Sequence, residues 1–218
     1  MLDKFWNGAS LGCPDGLAPW LRDRGSLTQR IQQRCARFAV RGVRSGLARI
    51  ALDEAALLGV APQHLAWSRE VFLYADDQPV VFAHSACARQ HLRGAWSAVS
   101  GLGNKPLGAL LFAHPLVERR PLHYKALRGA HPLYQSAAAA LTGMAVATPD
   151  NETCHARSPL LNPLPQAGEE ANDRYASSTL INPPGRLWAR RSLFYLHGAP
   201  LLVTEVFLPE ILRLAQAV

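Results

Sequence analysis

The stretch RLWARRSLFYLHGAPLLVTEVFLP, residues 186–209, decides the fold of this chain. It contains two runs rich in aromatic and aliphatic residues, separated by the short segment HGAP at 197–200. Two such runs joined by a short Gly-containing segment predict an antiparallel β-hairpin. The second run is almost wholly apolar, yet Glu205 lies in its middle. Because a buried carboxylate is costly unless another group pairs with it or uses it, Glu205 is a candidate functional residue.

A second hairpin is predicted for LAWSREVFLYADDQPVVFAHSA, residues 65–86, which turns at ADDQP. Side chains alternate along a strand, so Arg69 shares an apolar face with Val71, and Glu205 shares one with Val203. If both faces border the same interior, two interpretations are open. In the first interpretation, Arg69 and Glu205 form a structural ion pair, which adds little net stability. Alternatively, they line a pocket where Arg69 holds a substrate carboxylate and Glu205 handles a hydroxyl or a proton.

Shorter segments surround the two hairpins. A helix is predicted from Thr28 to Cys35, capped by Ser26 or Asp23, and a strand-like run follows at 38–50. Several hairpins flanked by short helices indicate an α+β domain, with an antiparallel sheet and helices packed on one face. The other segments with a short-helix pattern are 52–60, 93–103, 133–144 and 210–218.

Residues 143–184 differ from the rest of the chain. They are rich in Pro, Asn, Ser and charged residues and have no sustained periodicity. We therefore expect a disordered insertion or a long loop. It separates two parts of one domain, residues 1–142 and 185–218. Long surface insertions are tolerated because loop-closure entropy grows slowly with length.

Composition limits the class of protein. The chain has 218 residues, of which 49% are hydrophobic and 18% charged, as in a globular domain. No segment resembles a signal peptide or an apolar run of the roughly 18 residues that a membrane helix needs, so we expect a cytoplasmic protein without stable membrane insertion. Four widely spaced cysteines predict neither a disulfide framework nor a metal site.

The chain is basic, with a formal net charge of +7. Such a charge suits nucleic acid, a membrane surface or a small anionic substrate. The basic residues do not cluster into one long run with interleaved aromatic residues. This distribution weakens the nucleic-acid hypothesis, and we expect no nucleic-acid partner.

Four blocks of the sequence carry a family resemblance. They are DRGSLTQRI (23–31), WSREVFLYADDQP (67–79), LGNKPLGALLF (102–112) and LWARRSLFYLHGAPLLVTEVFLP (187–209). In sequence, order and spacing these blocks resemble the bacterial chorismate–pyruvate lyases, which make 4-hydroxybenzoate for ubiquinone. The resemblance extends over most of residues 17–125 and 186–209.

The resemblance implies a fold and an activity. The fold is a monomeric α+β domain around an antiparallel sheet of about six strands, with the ligand enclosed under helical flaps. The activity is the conversion of chorismate to 4-hydroxybenzoate and pyruvate, the first step of ubiquinone biosynthesis. No cofactor and no metal are implied. Chorismate is a dianion, which agrees with a basic protein and an arginine clamp.

The resemblance also implies site residues. Arg69 falls on the position that binds the ring carboxylate, and Glu205 on the position that meets the ring hydroxyl. Leu27 and Leu107 fall on positions that contribute to the substrate pocket, Leu107 through its backbone. Arg69 and Glu205 are thus the expected catalytic residues, sharing the pocket with the substrate. Glu205 either assists proton removal or only positions the hydroxyl.

The second carboxylate of chorismate needs a further cation. Arg190 and Arg191 are the candidates, and since neighbouring side chains alternate along a strand, only one of them can face inward. The sequence departs from the family at His84, where members tend to carry arginine. The insertion at 143–184 is a second departure, which puts activity rather than fold in question.

Two other classes of function remain open. The same fold resembles the effector-binding domains attached to some bacterial repressors, so a non-catalytic module that binds a small aromatic carboxylate is the main alternative. A basic nucleic-acid-binding protein is the other, supported by charge alone. Release of pyruvate from chorismate separates the enzyme from both.

Overall fold

The computed structural model describes residues 6–10, 12–142 and 183–215. In this part of the chain seven strands form one sheet, in which every neighbouring pair is antiparallel. The strand order is β1-β2-β3-β7-β6-β4, and β5 also pairs with β6. The strands are β1 (Phe38–Ala48), β2 (Ala66–Ala75), β3 (Gln78–Ala88), β4 (Glu118–Arg119), β5 (His123–Leu127), β6 (Leu187–Leu196) and β7 (Ala199–Phe207).

Short helices connect the strands. Two segments are 3₁₀ helices, Arg89–Arg93 and Pro209–Ala215. None of the helices in the described residues is long and apolar enough to span a bilayer. The α-helices are α1 (Ala18–Arg22), α2 (Leu27–Gln32), α3 (Leu52–Leu58), α4 (Ser97–Ser100), α5 (Leu107–Ala113) and α6 (Pro132–Leu141).

Both predicted hairpins are present. β2 and β3 are joined by Asp76 and Asp77, and β6 and β7 by His197 and Gly198. All four turn residues have positive φ, from 48° to 77°. Two-residue turns with positive φ match the right-handed twist of the strands they join, and Asp and Gly adopt this conformation more readily than most residues. Local sequence therefore determines both hairpins.

The α+β fold class is confirmed, with seven strands in the described residues where about six were expected. The additional pairing comes from β4 and β5, which lie in the charged segment VERRPLHYKAL at 117–127 and are too short to show a periodic pattern. The helix predicted at 28–35 spans Leu27–Gln32, with Ser26 Oγ accepting from the Gln29 amide. The predicted insertion, residues 143–184, lies outside the described residues except for its last two positions.

The helices cover both faces of the sheet, whereas one covered face was expected. On the first face, α1 and α2 pack against Val71 and Leu73. On the second face, α6 packs against Phe82 and Val206, and α3 against Leu202. The reason is that the central strand β7 carries large apolar side chains on both sides, Leu201 and Phe207 on the first and Leu202 and Val206 on the second, and each side needs a cover.

Candidate active site

An enclosed cavity lies between the first face of the sheet and two helices, α2 and α5. The centre of a water molecule can occupy about 40 Å³ of it, so the cavity is a narrow slot. The sheet contributes its floor through β2, β3 and β7, and the two helices form its roof. The residues that line it are Gly25, Leu27, Thr28, Arg69, Val71, Leu73, Ala83, Ser85, Pro106, Leu107, Gly108, Leu111, Phe112, Arg119, Phe194, Val203 and Glu205.

All four residues expected at the site line this one cavity. Arg69 comes from β2, Glu205 from β7, Leu27 from the start of α2 and Leu107 from the start of α5. Arg69 and Glu205 therefore border the same interior, which was the condition for both interpretations in the sequence analysis. The middle strand β3 contributes two small side chains to the floor, Ala83 and Ser85, and these leave room for a flat ligand.

Arg69 is a buried cation with no carboxylate partner in the described residues. The residue is only 3% exposed. Nη2 donates to the Gly103 carbonyl at 2.9 Å and to the Lys105 carbonyl at 3.0 Å, while Nε is buried without a hydrogen-bond partner. Burial lowers the pKa of the Arg69 guanidinium from its ordinary value. The loop before α5 therefore orients this side chain but leaves its charge unbalanced.

Glu205 forms its ion pair with Arg190. The Arg190 Nε donates to Oε2 of Glu205 at 2.5 Å, and Nη1 of the same arginine donates to the carbonyls of Trp20 and Asp23. Arg190 is directly opposite Glu205 on β6, whereas Arg69 lies two strands away on β2. The structural ion pair between Arg69 and Glu205 is therefore wrong as an interpretation, because a nearer guanidinium takes that carboxylate.

Neither candidate for the second carboxylate lines the cavity. Arg190 is 1% exposed, and its hydrogen bonds go to Glu205 and the chain around α1. Arg191 points to the second face of the sheet, where it forms an ion pair with Asp53 and stacks on Trp6 at 4.3 Å from the ring centroid. Alternation along β6 does place the two on opposite faces, as expected, but both are already engaged.

Arg119 lines the cavity and was not a candidate in the sequence analysis. Its Nη1 donates to the Arg24 carbonyl at 2.6 Å, and its Nε donates to Ser192 Oγ at 3.3 Å. The guanidinium carbon is 5.6 Å from the ring centroid of Phe112 and 5.3 Å from that of Phe194. In the sequence Arg119 is only one of two adjacent arginines, and its strand β4 has two residues, too few for a periodic pattern.

The charges around the cavity do not cancel. Arg190 balances Glu205, whereas Arg69 and Arg119 have no carboxylate partner among the described residues. Arg69 is buried and Arg119 is half-buried. Because charges withdrawn from water without a counter-ion are costly, a cavity with these two cations is suited to a ligand that brings two negative charges. The described residues contain no group of three or more His, Cys, Asp or Glu side chains able to hold a metal ion.

Comparison with known proteins identifies the family. The sequence profile described as chorismate lyase matches residues 9–143, more than half of the chain. The chain belongs to the chorismate lyase family.

Relatives in this family align over nearly the whole chain. A protein from Nitrosospira multiformis named "Probable chorismate pyruvate-lyase" is 44% identical over 207 residues, which are 93% of this chain and 93% of that protein. One of the same name from Nitrosomonas europaea is 40% identical, covering 96% of each chain. Among solved structures, the PhnF C-terminal domain has a TM-score of 0.47 and 11% identity, covering 85% of this chain and 89% of that one.

His84, where the resemblance led us to expect a departure from the family, lies on the second face of the sheet, away from the cavity. Each ring nitrogen is 3.4 Å from a carboxylate oxygen, Nε2 from Glu54 on α3 and Nδ1 from Glu70 on β2. These distances are long for hydrogen bonds, so the attraction is mainly between charges. Burial by itself disfavours the imidazolium, but the two carboxylates outweigh it and raise the pKa of His84 to about 9. In this chorismate lyase family member His84 thus joins α3 to the sheet.

Proposed function

We propose that this protein is a chorismate lyase that converts chorismate to 4-hydroxybenzoate and pyruvate. The observation that carries the proposal is the enclosed cavity with two unbalanced guanidiniums, Arg69 and Arg119, and one ion-paired carboxylate, Glu205. Chorismate is a dianion with a ring hydroxyl, so it matches the charge and the polar groups of this cavity. The family and the names of the relatives support the same activity.

In the proposed complex, Arg69 binds the ring carboxylate. A guanidinium can donate two parallel hydrogen bonds to a carboxylate, and Arg69 has a buried Nε without a partner. Leu107 is the first residue of α5, where no side chain caps the free backbone amides, and Leu27 is the first residue of α2. Both leucines add apolar wall for the ring, and the amides of α5 are available to a ligand oxygen.

Glu205 meets the ring hydroxyl at the other end of the ring. Its Oε2 is held by Arg190, while Oε1 makes no hydrogen bond to the described residues and belongs to a side chain at the cavity wall. Arg190 therefore positions the carboxylate, and one oxygen remains to accept from the substrate. We assign Glu205 the hydrogen bond from the hydroxyl and assistance in removing the hydrogen from the same carbon.

The reaction balances within the substrate. The carbon that bears the hydroxyl loses a proton, the neighbouring C–O bond to the enolpyruvyl group breaks, and the electron pair of the C–H bond forms the third ring double bond. The leaving enolpyruvate takes up a proton on its methylene carbon and becomes pyruvate. Because aromatisation supplies driving force, the protein mainly orients and desolvates the substrate. We therefore propose a reaction without a cofactor or a metal.

The wider setting follows from the product and the family resemblance. We propose that the 4-hydroxybenzoate enters ubiquinone biosynthesis and that the protein acts as a monomer in the cytoplasm. Sedimentation of the purified protein tests the monomeric state directly.

The test is product formation by the purified full chain. Chorismate is added in the presence of EDTA, and pyruvate and 4-hydroxybenzoate are measured separately. We expect equal amounts of the two products from the wild type. Arg69→Ala should lower kcat/KM by about 100-fold or more, since loss of a buried charged contact costs roughly 2–5 kcal/mol. The matched control is Arg93→Ala, which removes an exposed arginine outside the cavity.

Other outcomes would change the proposal. A folded wild type that binds 4-hydroxybenzoate but releases no pyruvate would be a binding module of the same fold. Equal loss of activity in Arg69→Ala and Arg93→Ala would remove the special role of the cavity. Retention of full activity in Arg69→Ala would show that the ring carboxylate is held elsewhere.

A further inference from the structure

One row of the sheet links Arg69 to Arg119 through the cavity. Arg69 on β2 is opposite Ser85 on β3, which is opposite Val203 on β7, which in turn is opposite Ser192 on β6. Arg119 reaches back to the end of this row, where its Nε donates to Ser192 Oγ. Three strand spacings separate the ends, roughly 14 Å between backbones. Since both side chains point into the cavity, the slot has a cation at each end.

Glu205 lies beside the middle of that row. It is two residues from Val203 on β7, on the same face of the sheet. Its charge acts on Arg119: burial lowers the pKa of the Arg119 guanidinium, and Glu205 partly offsets that effect. The polar groups of the cavity therefore follow the order cation, carboxylate, cation.

Arg119 is oriented but not saturated. Its Nε and Nη1 are engaged by Ser192 and the Arg24 carbonyl, whereas Nη2 makes no hydrogen bond within the described part of the chain. The aromatic rings of Phe112 and Phe194 lie beside the half-buried guanidinium and restrict its orientation. An oriented guanidinium with a free donor beside aromatic rings is suited to a carboxylate.

We propose that Arg119 binds the carboxylate of the enolpyruvyl group. This inference rests on the proposed function. In chorismate the ring carboxylate and the hydroxyl are at opposite ends of the ring, and the enolpyruvyl ether is on the carbon next to the hydroxyl. With the ring carboxylate on Arg69 and the hydroxyl on Glu205, the enolpyruvyl group extends towards Arg119.

The assignment makes Arg119 specific for substrate over product. When the C–O bond breaks, the second carboxylate leaves with pyruvate, and 4-hydroxybenzoate keeps only the groups that Arg69 and Glu205 bind. Arg119 thus contributes to chorismate binding but not to 4-hydroxybenzoate binding. A purely structural role, through the Arg24 carbonyl and Phe112, would affect both ligands alike because those contacts shape the roof of the cavity.

The experiment compares the two ligands in Arg119→Gln, Arg119→Lys and the control Arg120→Gln. Arg120 is the adjacent arginine, exposed and stacked on Tyr195 at 5.1 Å. We expect Arg119→Gln to raise the chorismate KM by about 10- to 100-fold, the equivalent of one lost charged hydrogen bond. The dissociation constant of 4-hydroxybenzoate should change by less than about threefold. Arg119→Lys, which keeps the charge, should fall between the wild type and Arg119→Gln.

Each alternative result has a distinct meaning. Equal weakening of both ligands in Arg119→Gln, or no effect on chorismate, would overturn the proposal. Arg69→Gln provides the contrast, because it should weaken both ligands. If the wild type released no pyruvate, the proposed function would fail by itself. Direct titration of chorismate and 4-hydroxybenzoate into the wild type and Arg119→Gln would then still decide whether Arg119 recognises the second carboxylate.

Discussion

Two neighbouring rows of the same sheet carry charged residues in opposite ways. The row on the first face begins at Arg69, and its cation has no carboxylate partner in the described residues. The next row faces the other side and runs from Glu70 through His84 and Thr204 to Arg191. There His84 lies between two carboxylates, and Arg191 pairs with Asp53.

The difference lies in charge balance rather than in burial. Arg69 and His84 are about equally hidden, at 3% and 6% exposure. On the second face, carboxylates from α3 and β2 lie on either side of His84 and one from α3 pairs with Arg191, so the network holds these elements together. On the first face the compensating charge is missing from the described residues, which leaves it for a ligand to supply. A buried charge therefore indicates function when its partner is absent and structure when its partner is present.

Among substitutions that test this difference between the two faces, we expect the largest effect on activity at Glu205, the carboxylate on the ligand face. Glu205→Gln should lower kcat by about 10² to 10⁴-fold, the usual contribution of a positioned acid or base, because the amide is a much weaker proton acceptor. Single-turnover formation of 4-hydroxybenzoate measures the step directly. Turnover close to that of the wild type would eliminate the role in proton removal.

The control for Glu205→Gln concerns folding. The substitution leaves Arg190 buried without its counter-ion, which is destabilising. Glu205→Asp keeps the charge and shortens the side chain by one methylene. Thermal unfolding of both variants separates loss of structure from loss of chemistry, since a folded Glu205→Gln protein should still bind 4-hydroxybenzoate measurably.

A smaller effect, on stability, is expected on the balanced face. The pKa of His84 is raised to about 9 in the folded protein, from an ordinary value of about 6.5 in the unfolded chain. The imidazolium is therefore favoured by folding, and its contribution is complete below about pH 6.5 and lost as the pH rises through 9. The free energy of unfolding should fall by roughly 2–3 kcal/mol between pH 6.5 and 9.5.

The matching carboxylates set the acidic limit of this network. Glu54 and Glu70 both have pKa values below the ordinary one, so their contribution is lost when the pH falls below about 4.5. Urea unfolding of the wild type and His84→Gln between pH 4.5 and pH 9.5 measures how much this network contributes to the free energy of unfolding. The variant should lack the alkaline decrease. An identical decrease in both proteins would assign it to other groups.

The smallest effect is expected where the two roof helices meet. A Cβ at Gly108 on α5 would be 3.1 Å from Thr28 Oγ1 and 3.3 Å from Ser26 Oγ at the start of α2, closer than ordinary packing. Gly108→Ala should separate the helices by a few tenths of an ångström and weaken 4-hydroxybenzoate binding by about three- to tenfold. Overall stability should change by less than about 1 kcal/mol, because alanine also favours the helix.

The matched control is Gly101→Ala. Gly101 follows α4, and a Cβ there would meet no atom within 4 Å. Its binding of 4-hydroxybenzoate should equal that of the wild type. If Gly108→Ala bound as tightly as Gly101→Ala, the close contact between α2 and α5 would not shape the cavity.

Local features of the sequence predicted much of this arrangement. The hairpins follow from alternating apolar residues and from turn residues that accept positive φ, and both depend on neighbours in the chain. The shared face of Arg69 and Val71, or of Glu205 and Val203, follows from the two-residue period of a strand. The family resemblance added Leu27 and Leu107, which no local pattern distinguishes. Those expectations placed four residues that line one cavity.

The lack of a carboxylate partner for Arg69 and the position of Arg119 were beyond local sequence. Glu205 is opposite Ala83 on one side and Arg190 on the other, and only the first neighbour is fixed by a pairing distant in the chain, β3 with β7. The hairpin places Arg190 beside Glu205, yet its consequence, that Arg69 has no carboxylate partner in the described residues, depends on the five strands from β2 to β4. Arg119 required β4, a two-residue strand defined by its contact with β6.

The sequence by itself thus determined the two hairpins, the faces of their side chains and, through its resemblance, the family. These properties depend on interactions between residues close in the chain or on motifs that survive as strings of letters. The tertiary structure alone decided which charges are balanced, that helices cover both faces, and that Arg119 enters the cavity. Charge balance depends on distances between residues far apart in sequence, and only the assembled sheet establishes those distances.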